Sequence, residues 1–150
     1  MSAVAHLVLV RSMTRSIIAT AFFCGVALCY STEPELRGDY AKLQGRWVVF
    51  RCEQDGATMP ERNGRAFIYE GKTVHLDTDK GRENYVLHED TSPKSVDFVD
   101  GHNTPVLGIY KLEGDTLVAC TADPGLERPT TFSTAPGDGR ILTHTRREKQ

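Results

Sequence analysis

The segment VLGIYKLEGDTLVAC, residues 106–120, predicts two antiparallel β-strands joined by a tight turn. Both arms are rich in β-branched, aromatic and other apolar residues, and the turn signal EGD lies between them. Strand-forming residues on either side of a short Gly-containing linker are typical of a β-hairpin. The first arm alternates, with Leu107 and Ile109 on one face and Gly108 and Tyr110 on the other.

The same pattern continues along most of the chain, as short strand-forming segments separated by Gly, Pro, Asn and Asp. The predicted strands are residues 47–52, 66–69, 73–76, 85–88, 95–99, 106–112, 116–121, 130–133 and 141–145. Short turns join them, which favours an up-and-down order, and a meander commonly protects its edge strands by closing on itself. The sequence therefore predicts an all-β fold: a single small antiparallel meander closed into a lipocalin-like barrel.

A short helix is predicted before the first strand, with Asp39 as its cap and its end before Gly45. A Gly-x-Trp sequence, residues 45–47, then opens the strand. This motif is typical of lipocalin-type barrels, in which the indole closes one end and the glycine permits tight entry of the chain. The alternative is that Trp47 is simply a core residue.

Three segments resemble a family of exported planctomycete lipocalin-like proteins of unassigned function. They are residues 43–50, residues 107–117 with Cys120 shortly after, and residues 128–132 followed by 137–140. The resemblance covers residues 43–146 and implies a lipocalin-like domain without catalytic residues. The positions expected to have structural roles are Gly45, Trp47, Gly108, Tyr110, Gly114 and Cys120.

Residues 1–31 predict a secretory signal peptide. Arg11 and Arg15 precede an apolar run over residues 17–30, and the segment has no acidic residue. The run is shorter than the roughly 20 apolar residues of an ordinary transmembrane helix. An uncleaved anchor and a buried helix are the alternatives, and Met13 could be the true start.

Cleavage after Cys29 or Ser31 would release an exported, periplasmic or extracellular protein. Residues 26–29 (VALC) are also similar to a lipobox, so lipidation of Cys29 would instead attach the protein to a membrane. Behind the signal peptide we expect a linker and short helix over residues 32–42 and the barrel domain over residues 43–147.

The charge of the exported part argues against nucleic-acid binding. Residues 1–31 carry two of the 18 basic residues and none of the 20 acidic ones, so the remainder has a formal charge of −4. A nucleic-acid surface needs a basic patch, and the sequence shows none.

Cys52 and Cys120 are the cysteines that follow the signal segment. In an oxidising compartment they could form a disulfide, and the alternative is two buried thiols that pack as small hydrophobic groups. In a nine-strand meander the first and seventh strands are not neighbours. We therefore expect unpaired thiols of similar burial.

The sequence carries no pattern of an enzyme, a metal site or a cofactor site. The histidines after residue 31 are His75, His88, His102 and His144, without the spacing of zinc ligands. No serine has a nucleophile-elbow context, and the glycine-containing turns separate strands instead of opening a helix. We expect a protein that is not an enzyme and uses no cofactor.

Three functions fit these predictions. The barrel could bind a small apolar or amphipathic molecule, with Gly108 and Ala119 as small interior positions that leave room for it. Alternatively, the domain could bind another protein, for instance as an inhibitor of an exported protease. An interior cavity above roughly 300 Å³ would favour the first function, whereas a filled core with a protruding N-terminal arm would favour the second. A purely structural role in the cell envelope is a third option.

Overall fold

The computed structural model describes residues 35–79, 81–99 and 104–149. The predicted signal peptide, with the lipobox at Cys29, lies outside these residues. A helix α1, Gly38–Leu43, precedes the strands, and a 3-10 turn covers Pro60–Arg62. Neither element is long enough to span a membrane, and no other described segment does so as a helix.

The strands follow one another along the chain as β1 to β9. They are Gly45–Gln54, Ala57–Thr58, Ala66–Glu70, Thr73–Leu76, Glu83–His88, Ser95–Val99, Val106–Glu113, Thr116–Ala122 and Arg140–Arg147. Each pairs antiparallel with its neighbour, except that β2 is a two-residue extension paired only with β1. Strand β9 pairs with both β8 and β1 and so closes the sheet. The prediction of an all-β meander closed into a barrel after a short helix is confirmed, and eight strands form the barrel.

The strand predicted over residues 130–133 is wrong. Strands β8 and β9 pair directly with each other, from Thr116↔Arg146 to Ala122↔Arg140. No other strand can therefore lie between them. Residues 123–139 instead form a loop, and Phe132 packs on the outer face of the sheet. The segment is rich in strand-forming residues because its side chains cover an apolar surface, although its backbone pairs with no strand.

Side chains divide between two apolar clusters. The larger fills one end of the barrel, and its buried members are Leu43, Trp47, Tyr69, Val74, Tyr85, Val96, Tyr110 and Leu117. The smaller lies on the outside, where Ile109, Val118, Cys120 and Leu142 pack against Phe132. Alternation along β7 thus places Tyr110 and Ile109 in different clusters, as a period of two requires.

Cys52 and Cys120 are free thiols, 1% and 0% exposed, so the disulfide is not formed in the structure. Cys52 lies opposite Thr143 of β9, and Cys120 lies opposite Leu142. Adjacent residues of a strand point to opposite faces, so the two thiols are on opposite faces of the sheet. Strand β9 also separates their strands by roughly 10 Å, beyond the about 7 Å between Cα atoms that a disulfide allows.

Gly108 does not leave room in the barrel, contrary to the expectation from sequence. A Cβ at this position would lie 3.0 Å from Thr121 Cγ2, 3.1 Å from the Cys120 carbonyl oxygen and 3.2 Å from Val96 Cγ1. The neighbouring side chains therefore already occupy the space that the glycine leaves.

The Gly108→Ala variant is expected to lose about 1–2 kcal/mol of unfolding free energy, because the added methyl group overpacks the interior. Gly81→Ala is the matched control, since its Cβ would be 3.6 Å from the nearest atom, Asp79 Oδ1, and its φ is not in the left-handed region. Urea unfolding measures both variants. Equal midpoints for the two would contradict the packing described at Gly108.

Candidate ligand-binding site

The barrel contains a cavity of about 280 Å³ that opens to solvent at one end. Its apolar walls include Phe67, Val74, Leu76, Phe98, Leu117 and Ile141, which come from five strands around the barrel. Ala119 also lines it, and this small side chain contributes to the open volume. The volume lies just below the roughly 300 Å³ at which small-molecule sites commonly begin. It is about twice that of an apolar cavity able to hold benzene.

Trp47 and Arg147 form the closed end. The Trp47 side chain is fully buried, and its Nε1–H donates to the Leu43 carbonyl at 2.7 Å. The Arg147 guanidinium lies 4.3 Å from the centre of the indole ring and donates to the carbonyls of Gln44 and Lys42. The carbonyls at the end of a short helix have no partner within the helix. Trp47 and Arg147 therefore donate hydrogen bonds to free carbonyl groups at the end of α1, and together with the helix they close this end of the barrel.

The entry of the chain into β1 depends on Gly45. Its φ is +107°, which an L side chain rarely adopts, and it follows Gln44, the C-cap of α1. This conformation turns the chain from the helix into the strand, so that Trp47 lies under the helix. Gly114, with a φ of +58°, has a similar role in the β7–β8 hairpin, where Glu113 pairs with Thr116.

A second layer of the closed end is built around Asp39. The helix begins at Gly38, with Arg37 as its N-cap, so the prediction that Asp39 caps it is wrong. Asp39 is 1% exposed, and its carboxylate accepts hydrogen bonds from Lys94 at 2.6 Å, Lys42 at 2.9 Å and the Tyr110 hydroxyl at 3.0 Å. A carboxylate is buried at little cost only when its oxygens are bonded in this way.

Charged side chains are found at the open end of the cavity. Arg62, Asp79 and Glu83 line it there, next to the beginning of β3, the end of β4 and the beginning of β5. Arg62 donates to the Gln54 amide oxygen at 2.8 Å. The mouth is therefore polar and of mixed charge, whereas the walls behind it are mostly apolar.

Few polar groups lie deeper in the barrel. The hydroxyls of Thr143 and Thr145 donate to the carbonyls of Ala119 and Leu117 on the neighbouring strand, at 3.4 and 3.2 Å. Tyr69 also lines the cavity, and burial raises the pKa of its hydroxyl far above the ordinary value, so the group stays neutral. The interior therefore offers an apolar surface with neutral hydroxyls.

The predicted structural residues occupy four places in the structure. Gly45, Trp47 and Tyr110 belong to the closed end, Gly108 packs inside the barrel and Gly114 forms a turn, while Cys120 lies in the outer cluster. Sequence reasoning missed Arg147, Tyr69 and the role of Asp39. The inward alternation of Phe67 and Tyr69 around Ile68 is the one signal that could have indicated Tyr69.

Neither the thiols nor the histidines form a reactive centre in the described part of the chain. Burial raises the pKa of both Cys52 and Cys120, so both thiols are protonated at neutral pH. Among residues 35–79, 81–99 and 104–149, no three metal-ligating side chains come together. The cavity is therefore the candidate functional site.

Comparison of the chain with protein-family models, with curated proteins and with solved structures finds no match. The resemblance to exported planctomycete proteins stays a prediction, and so does export itself. The case for a function therefore depends on the geometry of the barrel.

Proposed function

We propose that the protein binds a small, mostly apolar organic molecule inside its barrel. The observation that carries this proposal is the cavity of about 280 Å³ with apolar walls and one open end. A dry void of this size would cost about 7 kcal/mol at roughly 24 cal/mol per Å³. That cost is comparable to the whole stability of a small domain. Water or a ligand therefore fills the space, and a ligand gains the transfer free energy of its apolar surface.

The size of the cavity selects the size of the ligand. A volume about twice that of a benzene-binding cavity accommodates one or two fused rings, or an alkyl chain of similar bulk. The apolar walls favour a hydrocarbon body, and the charged mouth lies where the last part of the ligand would meet solvent. We expect a dissociation constant for a two-ring hydrocarbon on the order of 10–100 µM, which is about 5.5–7 kcal/mol.

The Ala119→Leu variant tests this proposal with naphthalene as the probe. Leucine adds three carbon atoms to a side chain that lines the cavity, so the affinity for naphthalene is expected to fall at least about tenfold. Ala57→Leu is the matched control, because Ala57 is exposed on β2 and does not line the cavity. Titration followed by naphthalene fluorescence measures the affinity of each variant.

A thermal melt of each variant checks that it folds. Folded Ala119→Leu that binds naphthalene as tightly as the wild type would contradict binding in the barrel. So would a wild type that binds no naphthalene up to its solubility limit.

A further inference from the structure

Tyr69 differs from the other tyrosines at the closed end of the barrel. The hydroxyls of Tyr40, Tyr85 and Tyr110 each donate to a protein oxygen, at 3.4, 2.9 and 3.0 Å respectively. The Tyr69 hydroxyl has no hydrogen-bond partner among the residues that the structure describes, although the side chain is only 6% exposed. Its ring packs edge-on against Tyr85, with 5.3 Å between ring centroids. Because Tyr69 lines the cavity, its hydroxyl is available to donate a hydrogen bond to a molecule that enters the barrel.

The position of Tyr69 places this hydroxyl within reach of a molecule in the barrel. Tyr69 lines the cavity and belongs to the interior cluster around Trp47. It lies near the end of β3, opposite Gly45, whereas the mouth of the cavity is at the beginning of that strand. The first part of an entering ligand is therefore the part that meets Tyr69.

The surroundings also restrict the charge of the group that Tyr69 would meet. Of the basic residues that line the cavity, Arg62 is at the mouth. His75 also lines it, but this residue lies between two inward-facing residues of β4, so its side chain points away from the interior. Lys42 and Lys94 are bonded to Asp39 in the separate layer of the closed end. An anionic group deep in the barrel would thus lack a counter-ion, and burying an unpaired charge is unfavourable. A neutral oxygen meets no such penalty.

We propose that the ligand is a neutral molecule with a hydroxyl, carbonyl or ether oxygen at its buried end, and that Tyr69 donates a hydrogen bond to this oxygen. The inference rests on the proposed function and adds the chemical class of the ligand. The body of the molecule is apolar and its buried end carries the acceptor. Tyr69 is then the residue that selects for it.

The pair naphthalene and 2-naphthol tests this inference, because the two probes differ by one hydroxyl. We expect wild-type protein to bind 2-naphthol about three- to tenfold more tightly, as one neutral hydrogen bond in a buried site allows. In Tyr69→Phe, naphthalene is expected to bind as in the wild type, while the preference for 2-naphthol disappears. Fluorescence titration measures all four affinities.

Tyr85→Phe is the matched control. It also removes a tyrosine hydroxyl from the closed end, but that hydroxyl donates to the Gly71 carbonyl and is already bonded. The preference for 2-naphthol should therefore persist in Tyr85→Phe. Tyr69→Phe should melt at the wild-type temperature, since it removes an oxygen atom that bonds to no described residue.

The outcomes separate the inference from the proposed function. If Tyr69→Phe keeps the preference for 2-naphthol, or if the wild type shows none, the inference is overturned while binding in the barrel stands. A single water bound at Tyr69 would give that second result. If neither probe binds the wild type, both the inference and the proposed function are wrong.

Discussion

Trp47→Ala is expected to lower the free energy of unfolding by about 3–5 kcal/mol, as is typical for truncation of a large buried aromatic residue. The indole is fully buried and packs in the interior cluster. Its loss removes the donor to the Leu43 carbonyl and the ring on which the Arg147 guanidinium lies. Urea unfolding followed by circular dichroism measures the change, because the variant has lost the only tryptophan of the chain.

Trp47→Phe separates the packing of the ring from its hydrogen bond. Phenylalanine keeps an aromatic ring near Arg147 but cannot donate to Leu43, so we expect a smaller loss of about 1–2 kcal/mol. An unchanged denaturant midpoint in Trp47→Ala would show that the indole does not close the barrel.

Asp39→Ala is expected to have the second-largest effect, a loss of about 2–3 kcal/mol. The substitution leaves the buried Tyr110 hydroxyl without its acceptor, and such an unsatisfied group costs about 1–3 kcal/mol. Loss of the two lysine partners contributes less to the destabilisation. Lys94 is 40% exposed and Lys42 is 65% exposed, so water can replace the carboxylate as their partner. Lys42→Ala is the control and should change stability by less than about 0.5 kcal/mol.

The effect of Asp39→Ala should depend on pH. Burial opposes ionisation, but hydrogen bonds from Lys94, Lys42 and Tyr110 outweigh it and hold the pKa of Asp39 below its ordinary value. A carboxyl group with a lowered pKa stabilises the fold above its unfolded pKa of about 3.9 and loses this contribution as pH falls through the folded pKa. The difference between wild type and variant should be constant above about pH 5 and shrink below about pH 4. A difference that grows on acidification would contradict the described bonds.

The local parts of the fold were predictable from sequence. The hairpin over residues 106–120 was found because Gly114 marks a turn between two alternating arms, and the observed strands differ by only a residue or so. Residues 130–133 were mistaken for a strand because strand-forming residues occur both in strands and in loops whose side chains cover an apolar surface. The pairing of β8 with β9, which excludes a strand between them, is a long-range property that composition does not contain.

The site was less predictable, for the same reason. Asp39 was expected to cap its own helix. Two of its hydrogen-bond partners, Lys94 and Tyr110, instead lie 55 and 71 residues further along the chain. Gly108 was expected to leave space, but the volume available at a glycine depends on the side chains of the adjoining strands. The presence of a cavity likewise depends on the sum of side-chain volumes across the closed barrel, and no single segment reveals it.

Methyl NMR spectra recorded with and without naphthalene test binding inside the barrel most directly. The methyl groups of Ala119, Leu117 and Val74 line the cavity, whereas those of Val86 and Leu126 are exposed, at 43% and 46%. We predict that naphthalene shifts the first three resonances and gives intermolecular nuclear Overhauser effects to the Ala119 methyl group, with Val86 and Leu126 unchanged. Shifts confined to the exposed methyl groups, with no Overhauser effect to Ala119, would contradict a binding site in the barrel.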